Sequence, residues 1–548
     1  MGSTGADGID CQVKQAIDRL SESPKLMSPM LSLFHRAQQY EEKVAIATPD
    51  GQFTYAQLLV HSAQVATLLL AGRIDLQEER VAFLVPAGFD YVVTQWGIWR
   101  SGGIAVPLCV THPYPELAYV MAQSGATILV AHPQFAAMAR SLAEGHPCRV
   151  ILTSDWQASD WQADATARSI ASLPNLTLDR RALILYTSGT TGKPKGVVST
   201  HGNLEAQVTS LVSAWGWTED DRILHVLPLH HIHGIVNVLT CALWSGALCY
   251  MLPKFDAELV WQHLCSGGIT LFMAVPTIYT KLITAWEKCD RAEQERRREG
   301  CRAIRLMVSG SAALPVPILE QWQHITGHFL LERYGMTEIG MALSNPLQGD
   351  RQAGSVGKPL PQVQVRLVDE QGQAVPPGVP GEIQVQGPGV FLEYWQNPTA
   401  TAKVFRDRWF CTGDLAVVED DRYRILGRIS VDIIKTGGYK VSALEIEEVL
   451  LTHPQVQECA VVGVPDPEWG ERVCAALVLR SDTTVNLTHL AMNLEPSLNL
   501  ETLRSWAKER IAPYKVPTRL IILESLPRNV MGKLTKPAIV QLFGYSRS

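Results

Sequence analysis

The stretch Tyr186 to Gly196, Tyr-Thr-Ser-Gly-Thr-Thr-Gly-Lys-Pro-Lys-Gly, directly follows the apolar run Leu183-Ile184-Leu185. Hydroxyls and glycines at a strand end let successive backbone N–H groups wrap a phosphate, and two lysines add positive charge. Thr187, Ser188, Gly189, Thr190, Thr191, Gly192, Lys193 and Lys195 are therefore expected to form an anion-binding loop. A P-loop nucleotidase needs four residues between its glycines and a Ser or Thr after its lysine. Here Gly189 and Gly192 enclose only Thr190 and Thr191, and Pro194 follows Lys193, so that class is excluded. A flexible linker does not explain a run of small, hydroxyl and cationic residues set directly behind a buried strand. A second cluster, His230, His231 and His233, offers imidazoles at close spacing. No carboxylate or cysteine cluster accompanies it in sequence, so a metal site is the weaker reading and a buried, hydrogen-bonded histidine the more generic one.

These residues must be held by a scaffold, and the apolar patterning describes it. From about Ser28 to Leu426, short apolar runs (Val81–Gly88, Ala126–His132, Arg181–Gly189, Leu271–Thr277 and Ile304–Gly310) alternate with helical patterns, the signature of layered parallel α/β structure. Between Gly354 and Val417 the pattern changes to short alternating strands rich in Gly and Pro, read as antiparallel hairpins or a small β-barrel subdomain. Beyond Gly427 a smaller α/β unit is expected. Ser442 and Glu445 start a helix there, strands follow near Cys459–Val464 and Cys474–Leu479, and a helix near Leu503–Ile511 precedes a strand at Leu520–Leu523. The implied fold class is α/β: residues 1–27 a polar leader, 28–427 a large domain, 428–432 a hinge, and 433–548 a small mobile domain. Glu287 to Arg302 carries 6 basic and 5 acidic residues and reads as a solvated helix and loop, and residues 481–500 read as a surface insertion.

Composition bounds the function. The 548 residues carry 48 Lys plus Arg against 54 Asp plus Glu, a net charge of −6, with 46% apolar residues. That balance leaves no electrostatic footprint for nucleic acid or an anionic membrane. The 11 cysteines are scattered, with no Cys-x-x-Cys pair and no zinc-type Cys/His spacing, so reduced thiols in a cytoplasmic setting are expected. The beginning of the sequence lacks both a secretory apolar core and the Arg-rich, acid-poor character of a transit peptide. Gly234 to Leu252 is uncharged and about a membrane span in length. Asn237 and the turn-like Trp244-Ser245-Gly246 mark it instead as a buried helix followed by a buried strand.

With these motifs the sequence resembles the acyl-adenylate-forming enzymes, a family that includes acyl-CoA synthetases. The resemblance runs from about Ser28 to Leu542. It is carried by the phosphate loop and then, in the family's order, by Tyr334-Gly335-Met336-Thr337-Glu338, Cys411-Thr412-Gly413-Asp414, Gly427-Arg428, Lys435-Thr436-Gly437-Gly438-Tyr439, and Pro527-Arg528-Asn529 through Gly532-Lys533. It implies that a carboxylate attacks the α-phosphorus of ATP to give an acyl-adenylate and pyrophosphate, and that the thiol of CoA then displaces AMP. ATP contacts are implied for Ser309, Gly310, Ser311, Tyr334, Gly335, Met336, Asp414 and Arg428. Each type is chemically apt: Tyr334 offers a flat face to adenine, Asp414 an acceptor for ribose hydroxyls, and Arg428 a permanent charge. Thr337 can bond a phosphate, and Glu338 is a hard oxygen ligand for Mg²⁺. Lys533 matches the adenylation lysine, and Lys435, Gly437 and Gly438 match the loop that meets CoA after the small domain rotates. The pivot position, usually Asp or Lys, is Ser430 here.

Within the family the closest likeness is to the malonyl-CoA synthetases, through Glu332-Arg333 ahead of Tyr334, Val275-Pro276-Thr277 and Ser309-Gly310-Ser311-Ala312. By this resemblance His231 stands at the gating position of the acyl pocket, and Lys281 stands where some malonyl enzymes carry Arg. Arg333 is the pointed feature: a guanidinium beside the reacting acyl group can grip a second carboxylate. The implied substrates are ATP, CoA and a short dicarboxylic acid such as malonate or methylmalonate. A monocarboxylate–CoA ligase and a module loading a carrier protein stand as alternatives.

Overall fold

The computed structural model describes residues 31–157, 173–187, 193–480, 498–529 and 533–545. Two large sheets form the body. One has seven strands in the order Glu393–Tyr394, Lys195–Thr200, Arg181–Thr187, Ile104–Pro107, Arg80–Leu84, Ile128–Ala131 and Arg149–Leu152. The other has nine and runs from Lys358–Pro359 through Gly340–Ser344, Leu331–Met336, Leu306–Ser309, Leu271–Ala274, Arg222–His225, Leu248–Met251 and Val44–Thr48 to Gly51–Thr54. Their central strands pair in parallel; the nine-stranded sheet is antiparallel at both margins and the seven-stranded sheet only at the margin formed by Glu393–Tyr394, Lys195–Thr200 and Arg181–Thr187. The central strands are buried along their length, which is why they read as unbroken apolar runs rather than alternating ones. Helices packed on the faces close a large core shared by both sheets, in which Trp96, Trp215, Trp261 and Trp322 are fully buried, and a second cluster under Leu117, Met121 and Leu142 covers the other face of the seven-stranded sheet.

Local chemistry fixes the helix starts. Thr54 and Gln57 exchange side-chain and backbone bonds at the head of Tyr55–Leu70, and Thr200 and Asn203 do the same for His201–Ala214. The uncharged stretch is a π-helical segment, His233–Thr240, continued by Cys241–Ser245, ended at Gly246 in the left-handed region, and followed by the strand Leu248–Met251. Among the described residues no helix is long and apolar enough to cross a membrane. Arg291–Gly300 is a surface helix as expected, except that Arg297 is buried between Glu258 and Glu293.

The antiparallel region is a five-stranded sheet of Gln364–Val368, Gly381–Gln386, Trp409–Glu419, Phe405–Arg406 and Arg422–Arg428. The small C-terminal domain builds a second five-stranded sheet from Ile433–Thr436, Tyr439–Ser442, Val456–Asp466, Gly470–Leu479 and Arg519–Ile522. Its strand Val456–Asp466 sends Val461 to one apolar cluster and Ala460 and Val462 to another, so helices cover both faces. Ser442 caps the helix Ala443–Leu450 by accepting from the Glu445 N–H, while the Glu445 carboxylate pairs with Lys515. Residues 1–27, expected as a leader, and residues 481–497 of the expected surface insertion lie outside the described residues. The end of that stretch is not surface, since Leu498 packs into the small domain's core and Asn499 caps the helix that starts at Leu500.

Candidate active site

The strands Arg181–Thr187 and Lys195–Thr200 form a hairpin, with Thr187 opposite Lys195, so the described ends of the expected phosphate loop stand side by side. Ser188 to Gly192 lie outside the described residues. At the hairpin's returning strand the Lys195 ammonium stands 5.0 Å from the centre of the Tyr394 ring. Lys193 lies over Tyr119, whose hydroxyl donates to the Pro194 carbonyl at 2.8 Å.

Opposite the hairpin, the strands Leu331–Met336 and Gly340–Ser344 are joined by a tight turn carrying Thr337 and Glu338. Gly335 is required there, because a Cβ would fall 2.1 Å from the Gly340 carbonyl oxygen. Glu338 is buried and accepts from the Tyr394 hydroxyl at 2.9 Å. Burial raises its carboxyl above the ordinary range, while Tyr394, Arg428 and Lys195 pull it back. Asp414 accepts from the Tyr334 hydroxyl at 2.6 Å and from Arg428 Nε and Nη2 at 2.8 and 3.2 Å. Burial works to lower the Arg428 guanidinium, but its bonds to Asp414 more than reverse the effect. This triad locks the Tyr334 ring in place from its polar end and leaves the ring face to stack.

Arg333 extends from the same strand and is only 2% exposed. Its Nη2 reaches Ser311 Oγ at 3.4 Å, and its Nε and Nη1 have no hydrogen-bond partner among the described residues. Burial pushes the guanidinium down to about 9, so it stays cationic at neutral pH. The neighbouring acid, Glu332, does not neutralise it. Consecutive strand residues face opposite sides, and Glu332 instead accepts from the Leu314 N–H at 3.2 Å, its own carboxyl pushed up to about 8 by burial. Gly310 makes the channel for Arg333, since a Cβ there would lie 2.7 Å from the guanidinium carbon. Ser311 follows with φ of 70°, a left-handed conformation costly for a serine, and lies within hydrogen-bond distance of His233 Nδ1 at 3.2 Å. Ser309 is fully buried, with its hydroxyl unpartnered among the described residues.

Lys533 reaches this centre from the small domain. The residue keeps exposed surface, yet its surroundings exclude enough water that desolvation is the first cause lowering its ammonium, followed by the charges of Arg428 and Arg333. Asp414 and Glu338 oppose that shift, and Lys533 in turn helps hold His231 and His233 neutral, after burial. The structure thus gathers Lys533, Arg333, Arg428, Asp414, Glu338, His231 and His233 around one space. Lys281 is not among them: it is exposed on the helix Pro276–Glu287, with its ammonium 5.8 Å from the Phe255 ring centre. Lys435, Gly437 and Gly438 lie on the hairpin Ile433–Ser442, whose two glycines have φ of 54° and 85°, and a Cβ on Gly438 would meet nothing within 4 Å.

Sequence reasoning missed His233 and Tyr394 as parts of the site. His233 carried a signal in its position two residues after His231. Tyr394 did not, because its role exists only through the pairing of Glu393–Tyr394 with Lys195–Thr200.

The AMP-binding enzyme model matches residues 33–395, and the model of the AMP-binding enzyme C-terminal domain matches residues 445–533. A mitochondrial malonate–CoA ligase from Xenopus laevis is 46% identical over 551 residues, covering 95% of this chain and 93% of the relative. The crystal structure of ATP-bound MatB from Rhodopseudomonas palustris is 33% identical, with a TM-score of 0.82, and the match covers 94% of this chain and 99% of that one. Apo MatB from the same organism gives a TM-score of 0.74 at 32% identity with the same coverage. These matches run through both domains: the chain belongs to the family of AMP-binding enzymes.

Proposed function

We propose that this protein is a malonyl-CoA synthetase that joins malonate to CoA at the expense of ATP. One observation carries the substrate assignment: Arg333, fully enclosed beside Tyr334, has two of its three nitrogens unpaired among the described residues. An enclosed guanidinium without a counter-charge is costly, and a substrate that brings a second carboxylate supplies it. A monocarboxylate leaves it unpaired, which is how such sites discriminate. The likeness to the malonate–CoA ligase of X. laevis supports the same reading.

In the first half-reaction a malonate oxygen attacks the α-phosphorus, an O–P bond forms, and the bond to pyrophosphate breaks. Negative charge grows on the phosphoryl oxygens, and the ammonium of Lys533, with the loop lysines, lowers that barrier. Tyr334 stacks on adenine, while Asp414 and Arg428 hold the ribose. The donor set suits Mg²⁺: Glu338 with the ATP phosphates would hold the ion, which supplies charge neutralisation. In the second half-reaction the CoA sulfur attacks the acyl carbon, its proton leaves, and AMP departs with the bridging oxygen. Rotation about residues 428–432, with Ser430 as pivot, withdraws Lys533 and brings Lys435, Gly437 and Gly438 to the thiol. The closer match to ATP-bound than to apo MatB fits an arrangement poised for the first step.

We assign the reaction to the cytoplasm, where the ten described cysteines stay unbridged, whereas the X. laevis relative is named as mitochondrial. Fractionation of cells expressing the tagged chain separates the two compartments. The activity is tested by incubating the protein with ATP, Mg²⁺, CoA and malonate. AMP and malonyl-CoA are the expected products, and pyrophosphate release with octanoate but not malonate would overturn the assignment.

A further inference from the structure

The strand Ile104–Pro107 of the seven-stranded sheet and the strand Arg222–His225 of the nine-stranded sheet are followed by turns that approach one another. Cys109 and His112 lie on the first turn and His230 on the second. One ligand atom from each, a thiol sulfur and two ring nitrogens, lies within 4.8 Å of the other two. The sequence alone pointed away from a metal here because the His230 cluster has no cysteine near it in the chain. The fold brings one to it from a distant segment.

Each donor is prepared for an ion. Cys109 is buried, and its sulfur lies 3.2 Å from the Thr111 hydroxyl, a donor that would stabilise a thiolate. His112 Nδ1 faces the Glu116 carboxylate at 3.1 Å, which fixes the tautomer and leaves Nε2 with its lone pair free. The Nε2 atoms of His112 and His230 are both buried and have no hydrogen-bond partner among the described residues. A carboxylate behind a histidine, with the opposite nitrogen aimed at a thiol, is the usual outer shell of a zinc ligand. Ligand atoms around tetrahedral zinc stand roughly 3.5 Å apart, so closure requires about 1 Å of side-chain movement.

We propose that Cys109 Sγ, His112 Nε2 and His230 Nε2 form a three-ligand site for a thiophilic divalent transition-metal ion, with Zn²⁺ the best chemical match. Binding releases the thiol proton to solvent, and the fourth position is left for water. The ring of His230 lies 4.3 Å from that of His231, so a bound ion clamps the turn that carries the acyl-pocket histidine.

The test is titration of chelator-treated full-length protein with Co²⁺, followed by competition with Zn²⁺. Wild type should show a thiolate-to-cobalt charge-transfer band that saturates at one ion per chain. Cys109→Ser should lose the band and His112→Asn should weaken binding, whereas Cys148→Ser, at a half-buried thiol elsewhere, should keep it. Glu116→Gln changes a side chain that is more than half exposed, and should lower affinity about 10–100-fold. No band in wild type, a band that persists in Cys109→Ser, or a Glu116→Gln affinity equal to wild type would overturn the site.

Discussion

Replacing Arg333 with methionine should separate function from stability. Methionine fills nearly the same volume without charge. The one hydrogen bond it removes from Arg333 among the described residues is the long one to Ser311, whose hydroxyl keeps His233 at 3.2 Å. Nothing in the unliganded fold is left unpaired, and an enclosed charge without a partner is relieved, so thermal stability should hold or rise. Malonate binding should respond in the opposite direction. Removing one member of a buried charge pair costs about 3–5 kcal/mol, and at about 1.4 kcal/mol per decade kcat/KM for malonate should fall by roughly two to four orders of magnitude. Pyrophosphate release under a malonate series, with a thermal melt of the same samples, gives both readings. A variant that keeps malonate kcat/KM within roughly threefold of wild type, or that melts far lower, would refute the reasoning.

Lys533→Ala should abolish acyl-AMP formation by a few orders of magnitude while sparing thioester formation from supplied malonyl-AMP. Because burial and then Arg428 and Arg333 hold its ammonium below the ordinary lysine value of 10.5, adenylation in wild type should decline as pH rises through a midpoint under that value. Arg333→Met, by removing one like charge, should move the midpoint upward in the residual activity. Gly438→Leu meets no neighbour, and although φ of 85° strains any side chain there, that cost of about 1–3 kcal/mol is local to the hairpin. The fold and pyrophosphate exchange should therefore persist while thioester synthesis is lost; joint loss would make the loop structural. Lys536 bridges Asp432 at 2.5 Å and Glu447 at 2.8 Å in a buried cluster. Lys536→Met strands both acids and should destabilise the small domain by about 3–5 kcal/mol in denaturant unfolding. Burial works to lower that ammonium, but Glu447 and Asp432 raise it overall. The ammonium's contribution is therefore complete through neutral pH and is lost at strongly alkaline pH, while protonation of Glu447, whose carboxyl burial raises, weakens the cluster from the acid side.

The legible parts of the sequence were those whose physics is local. Strand-length apolar runs became the buried central strands, the capping pattern at Ser442 became a helix start, and the uncharged stretch became helix then strand because Gly246 ends the one before the other begins. Arg333 could be singled out by its place before Tyr334, but its isolation could not, since that depends on Glu332 facing away and on Gly310 leaving a channel. The Tyr334–Asp414–Arg428 triad joins distant strands and is a product of sheet packing. Lys281 was singled out by likeness alone, and its exposed ammonium lies over the Phe255 ring, a contact that sequence spacing does not reveal. The cluster of Cys109, His112 and His230 was hidden because metal-ligand spacing is read along the chain, whereas these ligands meet across two sheets.

The central claim, that the enclosed guanidinium of Arg333 takes the second carboxylate of the substrate, is tested most directly in wild type by comparing kcat/KM for malonate and for its monomethyl ester, which keeps the reacting carboxylate and nearly the same shape but lacks the second charge. A preference for malonate of at least about a hundredfold is predicted, the scale of one lost buried charge partner. Equal use of the two acids, or preference for the ester, would contradict it.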